Sequence, residues 1–185
     1  MAWRAALRGA LCALALGIVL AVQPVRANAP PLPPEILQRY PELRPLGAGE
    51  MRWFGLRLYE ARLWVSGDRF DPEAPFALLL TYHRAIPAGR LVDSSISEMR
   101  QLGTGDEALL AHWRAELERA FPSVSSGESI VGVHHPGAGA EFWHQGRRTA
   151  SIADARFARA FFAIWLDART REPGLRAQLV GGQAP

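Results

Sequence analysis

Five histidines, His83, His112, His134, His135 and His144, are the first candidates for acid–base or metal chemistry. None has a ligand spacing. His134 and His135 are adjacent in a strand-like stretch, so their side chains point to opposite faces and cannot share one ion. They read as a surface pair at a strand end, beside the Pro136-Gly137 turn. No HExxH pattern occurs, and a metal site assembled from scattered positions such as His83, His144 and Asp154 has no support in the spacing.

Nucleophiles are equally scarce. There is no G-x-S-x-G elbow, and the Ser94-Ser95 pair lies in a helical pattern. All 21 basic residues are arginine, which excludes Schiff-base lysine chemistry, and the only cysteine is Cys12. Gly47-Ala48-Gly49 lacks the third glycine and the following helix of a dinucleotide site, and no Walker motif is present. The expectation is therefore no cofactor and no metal.

What remains is aromatic and cationic. Tyr59, Tyr82, Trp113 and Trp165 stand on strand and helix patterns and suit either a packed core or the wall of an apolar pocket. Arg52, Arg57 and Arg84 occupy strand positions from which a guanidinium either stands exposed at an edge or rim or faces an interior cavity and holds a ligand carboxylate with two hydrogen bonds. These seven residues are the candidate ligand-binding set.

Several elements must position them. Leu46 to Val65 reads as one long strand, whose apolar parity moves from Phe54, Leu56 and Leu58 to Tyr59, Ala61, Leu63 and Val65, as a bulge or a doubly covered segment requires. Phe76 to His83 is a continuous apolar run, expected as a central strand. Pro87 opens a helix to about Leu102, and Thr104-Gly105-Asp106-Glu107 is a capping box for a second helix with Leu109, Leu110, Trp113, Leu117 and Phe121 on one stripe. Three short strands follow, Ser129 to His134, Ala140 to Gln145 and Arg148 to Ile152. Asp154 then caps a helix carrying Phe157, Phe161, Phe162, Trp165 and Leu166, and Pro173 opens a last short one. Strands and helices segregated in this way predict an α+β fold, a curved antiparallel sheet with a layer of helices on one face.

Residues 1–29 have the layout of a signal peptide: Arg4 and Arg8, an apolar stretch from Ala10 to Val22, and small residues at Ala27 and Ala29 for cleavage. The expected location is periplasmic or secreted, with no stable membrane span after cleavage. Residues 30–45 form a Pro-rich leader expected on the surface, and 46–185 the folded domain. Removing Arg4, Arg8 and Arg26 with the signal balances the 21 basic and 18 acidic residues, so no long-range basic field draws the domain to nucleic acid or anionic lipid.

One resemblance runs through nearly all of the mature chain. Gly47-Ala48-Gly49, Arg52 through Trp64, Tyr82-His83-Arg84-Ala85-Ile86, Phe121-Pro122-Ser123-Val124 and Ile164-Trp165-Leu166 resemble the bacterial chalcone isomerase-like family. The resemblance implies the chalcone isomerase fold with a ligand cleft between sheet and helices. It also implies that most of the plant enzymes' polar set is replaced here: the arginine position falls on Met51, the strand threonine on Phe54 and the late-helix polar position near Ile164. Other members of the fold hold fatty acids through an arginine and a tyrosine, which Arg52 or Arg57 with Tyr59 or Tyr82 would imitate. The implied function is non-catalytic binding of a small amphipathic or fatty-acid-like ligand. The alternatives are an intramolecular lyase of chalcone isomerase type with a different residue set, and an accessory partner of an envelope protein.

Overall fold

A computed structural model describes residues 32–181; the 1–29 signal expectation lies outside the described residues. Six strands form one fully antiparallel sheet in the order of the chain: β1 (Arg44–Trp53), β2 (Leu56–Val65), β3 (Phe76–Tyr82), β4 (Ser129–His135), β5 (Gly139–His144) and β6 (Arg147–Ile152). The helices α2 (Ala88–Gln101) and α3 (Glu107–Ala120) lie between β3 and β4. The helices α4 (Ala155–Leu166) and α5 (Pro173–Leu179) close the chain, and α1 (Pro34–Arg39) precedes the sheet. The expected α+β architecture, a curved antiparallel sheet under a layer of helices, is present.

The stretch read as one bent strand is a hairpin. Phe54 and Gly55 have φ of 47° and 78°, which reverses the chain in two residues and pairs Trp53 with Leu56. Such turns favour Asn or Gly first, and a phenylalanine there concealed the signal. The parity change in this stretch does have a bulge behind it: Met51 pairs with Tyr59 and Arg52 with Arg57, leaving Leu58 unpaired.

On the helix-facing side, Leu63, Leu78, Phe142, Phe157, Phe161 and Phe162 form one continuous core, with Phe142 and Phe161 edge to face at 5.0 Å between centroids. Two ends of this layer have identifiable causes. Asp154 caps α4 by accepting hydrogen bonds from the N–H groups of Arg156 (2.7 Å) and Phe157 (3.1 Å), and it also accepts from Trp113 Nε1 at 2.9 Å. Burial pushes the Asp154 carboxyl up, but these donors outweigh it and hold it below its ordinary range. At the other edge, α5 lies so close on β1 that a Cβ at Gly47 would sit 2.2 Å from the carbonyl oxygen of Gln178. The cap of α3 is Asp106, which accepts from Leu109 N at 3.0 Å, rather than the box begun by Thr104.

The described part of the leader, residues 32–45, exposes its polar residues but anchors its apolar ones in the domain. Leu32, Ile36 and Leu43 are buried against Ala77, Leu79, Val131 and Val133 on the outer face of the sheet, beside Trp64 and Trp143. Covered on both sides, β3 is apolar from Phe76 to Leu80 without a break, which is why this run does not alternate. The adjacent histidines point to opposite faces as expected, but neither is a surface residue. His134 stacks on Phe76 at 4.6 Å in the helix-facing core, and His135 lies under α1, where Tyr40 Oη is 2.6 Å from its Nδ1.

Candidate functional site

Three of the seven candidate residues come together. Tyr59 on β2 and Tyr82 on β3 are paired in register on the helix-facing side, with their rings edge to face at 5.9 Å. Trp165, near the end of α4, donates its Nε1–H to Tyr59 Oη at 3.0 Å and leans on Phe161. The strand pairing brings Met51 of β1 beside Tyr59, so the row runs Met51, Tyr59, Tyr82 across three strands.

The hydrogen-bond inventory at this row is uneven. The oxygen of Tyr59 is engaged by Trp165, but no acceptor among the described residues takes the proton of either phenol. Burial pushes the Tyr59 hydroxyl up to about 12, against the lowering effect of the Trp165 bond and with help from the nearby carboxylates of Glu172 and Glu98. Burial also raises Tyr82, with Tyr59 adding to the shift. Both phenols are neutral across the physiological range, so both are hydrogen-bond donors. Glu98 is paired with Arg171 at 3.2 Å.

The other candidates lie elsewhere. Arg52 and Arg57 face each other at the exposed end of the β1–β2 hairpin, where both pair with Glu50. Arg84 is exposed beyond the end of β3. None of the three guanidiniums points into the sheet–helix interior, because the chain reversal at Phe54-Gly55 carries Arg52 and Arg57 to the tip of a hairpin instead of the middle of a strand. Trp113 is fully buried at the opposite end of the sheet, against Phe157 and Asp154. The interior expected as a cleft is occupied by phenylalanine and leucine side chains.

A second polar cluster had no sequence signal. Glu141 is buried on the outer face with Arg39 at 3.0 Å, Arg148 at 3.4 Å and His135 Nε2 at 3.6 Å. Arg39, Glu141 and Arg148 line a recess of about 150 Å³ with Tyr40 and Trp143. Alternate charged positions on β5 and β6 and a basic residue in the last turn of a helix are common surface patterns, so only the fold reveals their convergence. Among the described residues, no group of three histidine, aspartate or glutamate side chains is placed to hold a metal ion.

The row of phenols under a helical layer, set on a six-stranded meander, can be compared with known proteins. The model of the chalcone isomerase-like family matches residues 43–181, three quarters of the chain. The chain belongs to the chalcone isomerase-like family. An uncharacterised protein of Haemophilus influenzae is 26% identical over 139 residues, which is 75% of this chain and 68% of that protein. The crystal structure of a fatty-acid binding protein of Arabidopsis thaliana superposes with a TM-score of 0.58 at 12% identity, covering 75% of this chain and 87% of the other. At that identity the likeness establishes the shared fold. Among the described residues of this chalcone isomerase-like protein, no helix is long and apolar enough to cross a membrane.

Proposed function

We propose that this protein is a non-catalytic member of its family that binds a small amphipathic, fatty-acid-like ligand at the Tyr59–Tyr82–Trp165 row. The observation that carries the reading is the pair of phenol protons left without acceptors on the helix-facing side of the sheet. An acceptor on a ligand head group could take these protons, each hydrogen bond contributing about 0.5–1.5 kcal/mol net. The fatty-acid binding protein that shares the fold supports a lipid-like tail. The carboxylates of Glu98 and Glu172 near Tyr59 disfavour a second negative charge, so the favoured head is an uncharged acceptor such as an ester or alcohol, with a free carboxylate weaker. The tail would enter among the core phenylalanines, displacing side chains that now fill the interior.

This reading takes precedence over an envelope-partner role for the leader, because Leu32, Ile36 and Leu43 are already committed to the chain's own sheet. It includes export to the periplasm or beyond, supported by the signal-like residues 1–29 and checked by the intact mass of the protein recovered from the host.

The test is a titration of the purified protein with a long-chain fatty acid, its methyl ester and the matching alcohol, read by tryptophan fluorescence. Saturable binding is expected. Tyr82→Phe removes no bond within the protein, so it should leave the melting temperature unchanged or higher while weakening affinity by about fivefold, the worth of one hydrogen bond. Absence of saturable binding for all three compounds would refute the reading. Chalcone cyclisation followed by absorbance would instead establish the isomerase alternative.

A further inference from the structure

The large apolar side chains that are exposed among the described residues are not scattered. Trp53, Phe54 and Leu56 are 60%, 87% and 50% exposed, and all three sit on the β1–β2 turn. Phe54 contributes nothing evident to the fold. Its ring meets Trp53 edge to face at 4.8 Å, while its backbone is held at φ 47°, a region that bulky side chains rarely adopt. The β5–β6 turn makes the contrast. Gln145 has nearly the same φ of 48°, but its side-chain oxygen accepts from the backbone N–H of Ser129 at 2.9 Å, so the residue repays its conformation inside the protein. At the first turn, the return must come from outside the chain.

Charge surrounds the aromatic tip. Arg52 and Arg57 flank it and share the single carboxylate of Glu50, and Arg57 Nη2 is 3.4 Å from the ring of His83, next to which stands Arg84. Arg84 has no carboxylate partner among the described residues, so the immediate surroundings of the turn carry an excess of positive charge. A convex two-residue turn offers at most roughly 500 Å² of aromatic and aliphatic surface, below the ~800 Å² per partner of a stable protein interface. A bilayer imposes no such requirement, and it rewards this arrangement of a tip phenylalanine, a tryptophan at head-group level and arginines behind it. We propose that the β1–β2 turn is a membrane-docking tip, with Phe54 and Trp53 entering the interface of an anionic bilayer and Arg52, Arg57 and Arg84 meeting its phosphates.

The docking surface stands independently of the ligand reading. Where both hold, the bilayer is the source of the ligand, since Tyr59 pairs with Met51 immediately behind the tip.

The test is sedimentation of the purified chain with vesicles of phosphatidylcholine alone and of phosphatidylcholine with phosphatidylglycerol, at low and high salt. Each variant is compared with wild type prepared identically, so that any contribution of residues 1–29 cancels. Wild type should partition onto the anionic vesicles and be released by salt. Phe54→Ser should reduce the partition coefficient about tenfold with an unchanged melting temperature, and Phe54→Leu should restore most of it. Arg84→Gln should reduce it about fivefold on anionic vesicles and not on neutral ones. Ester or fatty-acid titration of Phe54→Ser without vesicles should match wild type, which separates failure of docking from failure of the ligand site. Equal vesicle binding by wild type and Phe54→Ser would overturn the proposal. Absence of wild-type binding to either vesicle at low salt would overturn it too.

Discussion

On the helix-facing side of the sheet, Phe142, Phe157 and Phe161 meet one another under α2, α3, α4 and α5, whereas on the outer side Leu79, Val131 and Val133 are covered by little more than one short helix around Ile36. The first face is sealed by area. The second is sealed by a few apolar anchors and a polar clasp, in which Tyr40, Arg39, His135, Glu141 and Arg148 join α1 to β4, β5 and β6. It even leaves the indole N–H groups of Trp64 and Trp143 buried without partners among the described residues. The difference teaches that a thick layer can rely on non-directional burial, while a thin cover needs specific bonds to stay in place.

Four substitutions or titrations would sharpen or break that contrast. The largest effect is expected for Phe142→Ala in the thick layer, a loss of roughly 3–5 kcal/mol in urea unfolding, because the rings packed around it cannot collapse into the space. Ile36→Ala on the outer face should cost about 2–3 kcal/mol, at the low end for such truncations, since a six-residue helix can settle into the gap. If it costs as much as Phe142→Ala, the two faces are not different in kind. Tyr40→Phe should cost about 1 kcal/mol by leaving His135 Nδ1 without its partner, with α1 becoming more open to proteolysis.

The fourth concerns pH. Burial holds both His134 and His135 below the ordinary histidine range; for His135, Glu141 opposes the shift and Arg39 supports it. The folded chain then binds fewer protons than the unfolded one as acidity rises. Stability should be complete above about pH 6.5 and decline as pH falls below it toward the folded values. Urea midpoints measured from pH 7.5 to 5 should show the decline in wild type and a shallower one in His135→Phe, with His134 supplying the remainder from the opposite face. An unchanged slope would mean that the clasp does not sense protons.

Much of the architecture was legible because its signals are local. The runs at Phe76–Tyr82 and Ser129–His135, the stripe on α3 and the Asp154 cap each follow from a few neighbouring residues. The hairpin was not legible, since Phe54 occupies a turn position where Asn or Gly is expected and the flanking apolar residues continue without a break. That one omission displaced Arg52 and Arg57 from a supposed interior to an exposed tip, while Tyr59, Tyr82 and Trp165 remained on the helix-facing side because their positions depend on alternation and helical period alone. The leader was missed for a different reason. Prolines at 30, 31, 33 and 34 read as a solvated spacer, and nothing local shows that Leu32, Ile36 and Leu43 face a sheet formed much later in the chain.

Strand order equal to chain order has a kinetic consequence. The β1–β2, β4–β5 and β5–β6 ribbons each close over a turn of a few residues and can form early, but β3 meets β4 only after the whole of α2 and α3 has been brought around. That junction is expected to set the refolding rate, so mutations along Leu78, Leu80 and Ile130 should slow folding, while those at the hairpin ends should chiefly hasten unfolding.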